Sequence, residues 1–567
     1  MGHLTRLSRR PVFQFMLVVT FSWSVLARCD ETRPCTEEFR SLPGIPLQSL
    51  SSARQDCGPV DALRATQQRT GNSGFDGRTV TARRLGEGLG FAGREGIRLT
   101  MAHRSVHPSE PFVHPREALQ RLLARDQVRV RRFSREAESS SSRPANELVR
   151  APERDTFPDI THPGGKKRPN TTTATKPTST TEENVYNFQS TVGSGVHLGS
   201  GEYFMDFYVG TSAKAISVII DTGSDLTWVQ CDPCNLCYHQ QGPFFSPNGS
   251  SSYQGLHCNS NSCVSAGGFG EDAEGGCNAD KPGVCKYFYY YGDSSNTTGD
   301  YALETVTFNV SGGAPLQIEQ ILFGCGHSNI GLFQGSGGLL GLGQGAISFV
   351  SQIGDLFKNR FSYCLVDRDN PLKVKSPLVF GEDTVYAKLE DQMQWTPFLK
   401  NTPTDTFYYI NITGVSVGGE SLPIPDSVWA IDAQGYGGSI IDSGTTLTYF
   451  KQEAYDLISK KFQELITYPS VSSVPVLEIC YNVSGVENPD FPAFSVRFEG
   501  DAVMELPFQN YFIRADPEDE VYCLALLSVG PKNINIVGNF QQQNFHVVYD
   551  RGNSRLGFAP VDCSSAL

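Results

Sequence analysis

The chain reads "IIDTGSDLTWVQC" from Ile219 and "IIDSGTTLTYF" from Ile440. An apolar run, an acid, a hydroxyl residue and a glycine thus recur roughly two hundred residues apart. The runs "SVII" and "GSII" are apolar without alternation, the pattern of strands buried on both faces. Asp221 and Asp442 end those strands and open tight turns at Gly223 and Gly444. Each box is followed by a later apolar-apolar-glycine, Leu339-Leu340-Gly341 in "GLLGLG" and Ile536-Val537-Gly538 in "NIVGNF". The same order twice in one chain predicts two homologous lobes, each supplying one carboxylate.

A carboxylate at the end of a buried strand is desolvated and needs donors. Ser224 and Thr445 follow the acids where their hydroxyls can donate, and Thr222 and Ser443 are placed to reach the opposite turn and lock the lobes together. Where two such turns meet, two carboxyls compete for one proton and titrate as a pair. The ionised member takes a proton from a water held between them, and the protonated member donates to a carbonyl oxygen. That is general acid–base hydrolysis of an amide with no covalent intermediate. A lone Asp-Thr-Gly is more often a capped turn; the repeat with its strand context points to chemistry.

From Phe188 onward, short β-rich runs such as "EYFMDFYVG", "YALETVTF" and "FYYINITGVSVGG" alternate with Gly, Asn and Asp turns. "FHVVYDRGNSRLGFAP" reads as a hairpin, and "KQEAYDLISKKFQELI" (Lys451–Ile466) is the clearest helix. The body is therefore expected to be all-β with a few helices. Residues 28–187 differ: "HPREALQRLLARDQVRVRRF" predicts a basic amphipathic helix, and Arg168–Glu183 is a Thr/Pro-rich linker that cannot bury a core. From Phe188 the chain has 40 acidic and 18 basic residues, a net of −22, against 20 acidic and 29 basic before it, a net of +9. A basic leader on an acidic body suggests an intramolecular electrostatic clamp rather than a nucleic-acid arm.

Residues 1–27 carry Arg6, Arg9 and Arg10, then an apolar stretch, then Val25-Leu26-Ala27, the layout of a secretory signal peptide. The apolar stretch is short and interrupted for a membrane span, and the C-terminus "VDCSSAL" has no apolar tail, so no stable membrane anchor is expected. Of 15 cysteines, Cys29, Cys35 and Cys57 lie in the leader and 12 in the body, enough for six disulfides. The spacing of "CDPCNLC" also suits zinc, but an oxidising route favours disulfides, and no metal or organic cofactor is expected. Sequons at Asn170, Asn248, Asn296, Asn309, Asn411 and Asn482 fit the same route.

These features together resemble the pepsin-like aspartic proteases, in their plant nepenthesin-like branch. The resemblance covers about 370 residues, Gly199 to Cys563, through "DTGSDLTWVQCDPCNLCY", "SPNGSSSYQGLHCNSNSC", "CGHSNIGLFQGSGGLLGLG", "DSGTTLTYF" and "NIVGNFQQQNFHVVYD". It implies an all-β bilobal fold with a substrate cleft between lobes and Asp221 and Asp442 as the catalytic pair; the coupled titration described above is the known behaviour of that family's dyad. The expected divisions are a leader to residue 187, an N-terminal lobe over 188–390 with a Cys-rich insertion and flap, and a C-terminal lobe over 391–567. Carried over by order, the cysteines pair Cys231–Cys234, Cys237–Cys325, Cys258–Cys285, Cys263–Cys277, Cys364–Cys563 and Cys480–Cys523.

By the same resemblance "KYFYYYGDSSNTTGDY" is the flap, with Tyr291 as flap tyrosine, Gly292 and Asp293 after it, and Trp228 as its hydrogen-bond donor. Two departures stand out. Ser294 occupies a position where relatives commonly have glycine, and Asn296 makes a sequon at the flap. A glycan there is expected to slow closure or narrow the substrate range. The resemblance further implies protein or peptide substrates and a leader acting as intramolecular inhibitor, removed at acid pH near Phe188. It implies a monomer exported to the cell wall or vacuole. A binding protein on the same fold is the chief alternative, although such relatives typically lose an Asp box. A two-carboxylate glycosidase needs no repeated Asp-Thr/Ser-Gly turns.

Overall fold

A computed structural model describes Asp126 and residues 188–566, apart from 195–200, 212–213, 271–282, 309–314, 334, 369, 371–373, 384–386, 473, 475, 517–519 and 531–532. The signal-like segment, the linker, Cys29, Cys35, Cys57, Cys277, Asn170 and Asn309 lie outside the described residues. So does the expected leader helix, except Asp126, which is helical.

Among the described residues the first half forms β1 (Phe188–Ser194), β2 (Tyr203–Val209), β3 (Lys214–Asp221), β4 (Trp228–Gln230), β5 (Gln254–Gly255), β6 (Lys286–Tyr290), β7 (Asn296–Phe308), β8 (Leu316–Ile330), β9 (Gly338–Gly341), β10 (Arg360–Cys364) and β11 (Ser376–Phe380). The second half begins with β12 (Gln394–Leu399), β13 (Tyr409–Ile410), β14 (Ile412–Val417), β15 (Glu420–Ser421), β16 (Ser439–Ile441) and β17 (Thr448–Lys451). It continues with β18 (Cys480–Asn482), β19 (Phe494–Phe498), β20 (Val503–Leu506), β21 (Phe512–Asp516), β22 (Val521–Leu524), β23 (Leu526–Val529), β24 (Asn535–Val537), β25 (Phe545–Asp550) and β26 (Arg555–Pro560). The protein is mostly β. The one long helix among the described residues, Gln452–Leu465, buries Ala454, Tyr455, Ile458 and Phe462 at helical spacing.

The duplication is topological. In the first half β3 runs parallel to β9, β9 antiparallel to β4, and β4 parallel to β8. In the second half β16 runs parallel to β24, β24 antiparallel to β17, and β17 parallel to β23. The two apolar-glycine repeats are β9 and β24, lying beside the strands that end in Asp221 and Asp442. Gly341 and Gly538 hold this arrangement from both sides: a Cβ on the first would collide with the Asp225 backbone, and on the second with the Leu447 backbone.

The halves are joined by a ribbon in which β1 pairs with β11, β11 with β10, β10 with β25, β25 with β26 and β26 with β12. Phe361 and Tyr549 stack on this ribbon at 4.5 Å between ring centroids, and Tyr408 meets Tyr549 edge-on at 4.6 Å. All three are buried, each worth roughly 1.5–3 kcal/mol of apolar burial. The hairpin read from "FHVVYDRGNSRLGFAP" is β25–β26, turning through Ser554 in the left-handed region at φ +50°. The expected division at 390/391 falls in the 3-10 turn Ala387–Gln392.

The cysteine pairing corrects the expected order. The structure joins Cys231 to Cys325 and Cys234 to Cys237, not Cys231 to Cys234 or Cys237 to Cys325. The cause is register: β4 lies parallel beside β8 with Val229 opposite Cys325, and the Cys231 N–H donates to the Gly326 carbonyl. That leaves 5.4 Å between the Cα atoms of Cys231 and Cys325, and Cys234 and Cys237 close a local loop. Likewise Cys263, in the short helix Asn261–Ser265, joins Cys285 rather than Cys277, which rules out Cys258–Cys285. Gly268 leaves the room, since a Cβ there would strike both sulfurs. Cys258 is also disulfide-bonded. Cys364 joins Cys563, and Cys480 joins Cys523 across β18 and β22.

Candidate active site

Asp221 and Asp442 are both fully buried, and each sits in the same cradle. The Gly223 N–H donates to Asp221 Oδ1 at 3.0 Å and the Ser224 hydroxyl to Oδ2 at 2.7 Å. The Gly444 N–H donates to Asp442 Oδ1 at 2.9 Å and the Thr445 hydroxyl to Oδ2 at 2.6 Å. The turns are tied to each other. The Thr222 N–H donates to the Ser443 hydroxyl oxygen at 3.1 Å, and the Ser443 N–H to the Thr222 hydroxyl oxygen at 2.8 Å. The residues next to the two acids therefore clasp reciprocally across the halves. Donors on both oxygens of each carboxylate favour its ionised form, while burial opposes it.

The segment expected to be the flap forms the β6–β7 hairpin, with Tyr290 opposite Asn296. Its tip closes through Tyr291 N–H to the Ser295 carbonyl at 2.8 Å, and Asp293 accepts from the Ser295 N–H and hydroxyl. Gly292 lies within this tip, and Ser294 has φ +68°. Trp228 Nε1–H donates to the Tyr291 hydroxyl oxygen at 2.7 Å. Burial pushes the Tyr291 hydroxyl well above its ordinary range, with the neighbouring Tyr289 and the Asp221 charge adding to it. It therefore stays a neutral phenol across any biological pH.

The outer face of the flap sheet has three rungs, running across β6, β7 and β8. Lys286, Asp300 and His327 form an ion cluster, Phe288 stands beside Thr298 and Ser328, and Tyr290 beside Asn296 and Ile330. Phe288, Tyr290 and Ile330 are exposed by 58%, 39% and 48%, an apolar strip around a half-buried sequon asparagine. Asn248 is exposed, and Asn411 and Asn482 are half-buried.

Several site residues escaped the sequence. Asp225 is buried, accepts from the Gly345 N–H at 2.8 Å and from the Thr406 hydroxyl at 2.6 Å, and so links the first Asp turn to the second half. Its own N–H donates to the Tyr289 hydroxyl on the flap strand. Phe333 packs edge-on to both Trp228 and Tyr291. Asn539 Nδ2–H donates to the Ser443 carbonyl, and Gln542 Nε2–H to the Asp442 carbonyl. The only hint of the last two is the polar run "GNFQQQNF" after the second apolar-glycine. Among the described residues no cluster of His, Cys, Asp and Glu could hold a metal ion.

Known proteins resemble this chain. The xylanase inhibitor N-terminal family model matches residues 203–382 and its C-terminal counterpart residues 407–560. Aspartyl protease family protein 2 of Arabidopsis thaliana is 40% identical over 379 residues, 66% of this chain and 74% of that protein. Aspartic proteinase nepenthesin-1 of Nepenthes gracilis is 39% identical over 388 residues, 68% of this chain and 83% of that protein. The chain belongs to the pepsin-like aspartic proteases, in their plant nepenthesin-like branch. By class it is an aspartic-type endopeptidase. Among solved structures, basic 7S globulin from soybean shares the fold at 20% identity, with a TM-score of 0.55 over 68% of this chain and 99% of that one.

Proposed function

We propose that this protease hydrolyses peptide bonds at acid pH through a water activated between Asp221 and Asp442, and that it is made as a zymogen in the secretory pathway. The observation that carries the reading is the pair of matched cradles joined by the Thr222–Ser443 clasp. One carboxylate takes a proton from the water as its oxygen attacks the carbonyl carbon. The other, protonated, donates to the carbonyl oxygen, and the proton gained from water passes to the leaving amine. Ser224 and Thr445 hold the acids in orientation, and Tyr291, fixed by Trp228, closes over the bound peptide and excludes water. Substrates are proteins or peptides, and no cofactor takes part. Residues 28–187 act as pro-segment, residues 1–27 as signal peptide, and Asn248, Asn296, Asn411 and Asn482 as glycan acceptors.

The deciding experiment follows purified precursor from about pH 3 to neutral, pairing peptide cleavage with N-terminal sequencing, beside an Asp221→Ala control. Acid-dependent cleavage and leader loss, absent from the control, are expected. The names of the matched family models favour a second reading, an inhibitor built on this fold. A folded, leader-free wild-type body that cleaves nothing would favour it over the peptidase.

A further inference from the structure

Asp126 is the one leader residue in the described structure, and it is buried on the body with 1% exposure. Its carboxylate accepts from two consecutive backbone amides. The Thr446 N–H lies 3.2 and 3.1 Å from its two oxygens, and the Leu447 N–H 2.9 Å from Oδ2. Adjacent N–H groups converging on one anion make a concave carboxylate site, and such charge-assisted bonds are about twice as strong as neutral ones.

The site's place in the duplication explains why it needs a ligand. Thr446 and Leu447 stand in the second Asp box where Asp225 and Leu226 stand in the first. In the first half the equivalent Asp225 N–H is capped from within the body, by the Tyr289 hydroxyl of the flap strand at 3.2 Å. In the second half the cap arrives from 320 residues upstream. A buried amide pair without an acceptor is costly, so the position favours whatever brings a carboxylate to it.

We propose that the Thr446–Leu447 amide pair is the docking site that holds the leader on the body, with Asp126 as its ligand. The proposal rests on reading residues 28–187 as a pro-segment. It gives the leader a specific anchor of the opposite sign to its net charge: a carboxylate on backbone donors, beside the turn that carries Asp442.

The test uses the full-length chain carrying Asp221→Ala, so that no self-cleavage intervenes. Hydrogen exchange is followed in the segment 442–450, with and without Asp126→Asn. The amides are expected to exchange at least about tenfold faster in the Asp126→Asn variant. After one cut with added protease in the linker 168–183, the unsubstituted leader should co-elute with the body, and the leader carrying Asp126→Asn should separate. Unchanged exchange together with co-elution would overturn the proposal. If Asp126→Asn does not fold, Asp126→Glu decides: a glutamate that still protects the amides supports the site, and unprotected amides refute it. Protected amides in a chain whose wild type cleaves nothing would sink the peptidase reading alone. Active peptidase with unprotected amides would sink this one alone.

Discussion

At the flap tip Ser294 adopts φ +68°, a conformation that a side chain makes unfavourable by about 1 kcal/mol or more. Glycine there would relieve that strain but would loosen the unfolded chain by a comparable 0.5–1 kcal/mol or so. Ser294→Gly is therefore expected to shift global stability by less than about 1 kcal/mol while amides of residues 291–295 exchange faster and KM rises more than kcat falls. Flap exchange indistinguishable from wild type would count against a stiffening role for the serine. The doubt about this position was legible in the sequence because glycine's freedom is local. Asp225 was not: its partners, Gly345 and Thr406, lie 120 and 181 residues away, and only folding brings them to it.

The same distinction separates the elements that could be read from those that could not. The buried strands ending in Asp221 and Asp442 and the helix Gln452–Leu465 announce themselves by periodicity within a dozen or so residues. The disulfides of the Cys-rich region do not, because Cys231 meets Cys325 only once β4 has found β8 in parallel register. Net charge could not single out the contact residue either, since Asp126 is an acid within a basic leader. The flap hairpin unites both cases. Its Asn296 sequon was plain, but its exposed neighbours Phe288, Tyr290 and Ile330 follow from cross-strand register. A glycan on Asn296 would lie against that strip and weigh on closure. Asn296→Gln should shift the glycoprotein's mass and raise turnover of bulky substrates, on the order of twofold or more. Unaltered glycosylation, rate and cleavage pattern would dispose of the idea.

Across the whole molecule, acid acts through groups of opposite sign. Burial pushes the His546 imidazole down to about 3 from its ordinary 6.5, with Arg360 adding repulsion. The unfolded chain takes up a proton below about 6.5 that the folded chain refuses, so stability present above that pH is lost as pH falls toward about 3. Asp225 works the other way. Burial raises it against the hydrogen bonds from Thr406 and Gly345. The folded chain thus holds that proton more tightly, and stability is gained as pH falls through its raised value toward the ordinary one. His327, raised chiefly by its hydrogen bond to Asp300, likewise stabilises on the acid side. His546→Gln is expected to keep more of its neutral-pH Tm at pH 4 than wild type does. Tm curves that run parallel from pH 7 to 3 would show that the imidazole is not the acid-labile point.

The first strand sets a limit on how far the proposed leader removal can run. β1 is enclosed on both sides, by β11 from Phe188 opposite Phe380 to Val192 opposite Ser376, and by β2 from Val192 opposite Met205 to Ser194 opposite Tyr203. A trimming cut inside it would open a gap in the middle of a sheet and bare two hydrogen-bonding edges. A cut past Phe188 thus removes a supporting plank rather than a wrapper, and in a protein matured as proposed the sheet defines where the finished chain must begin.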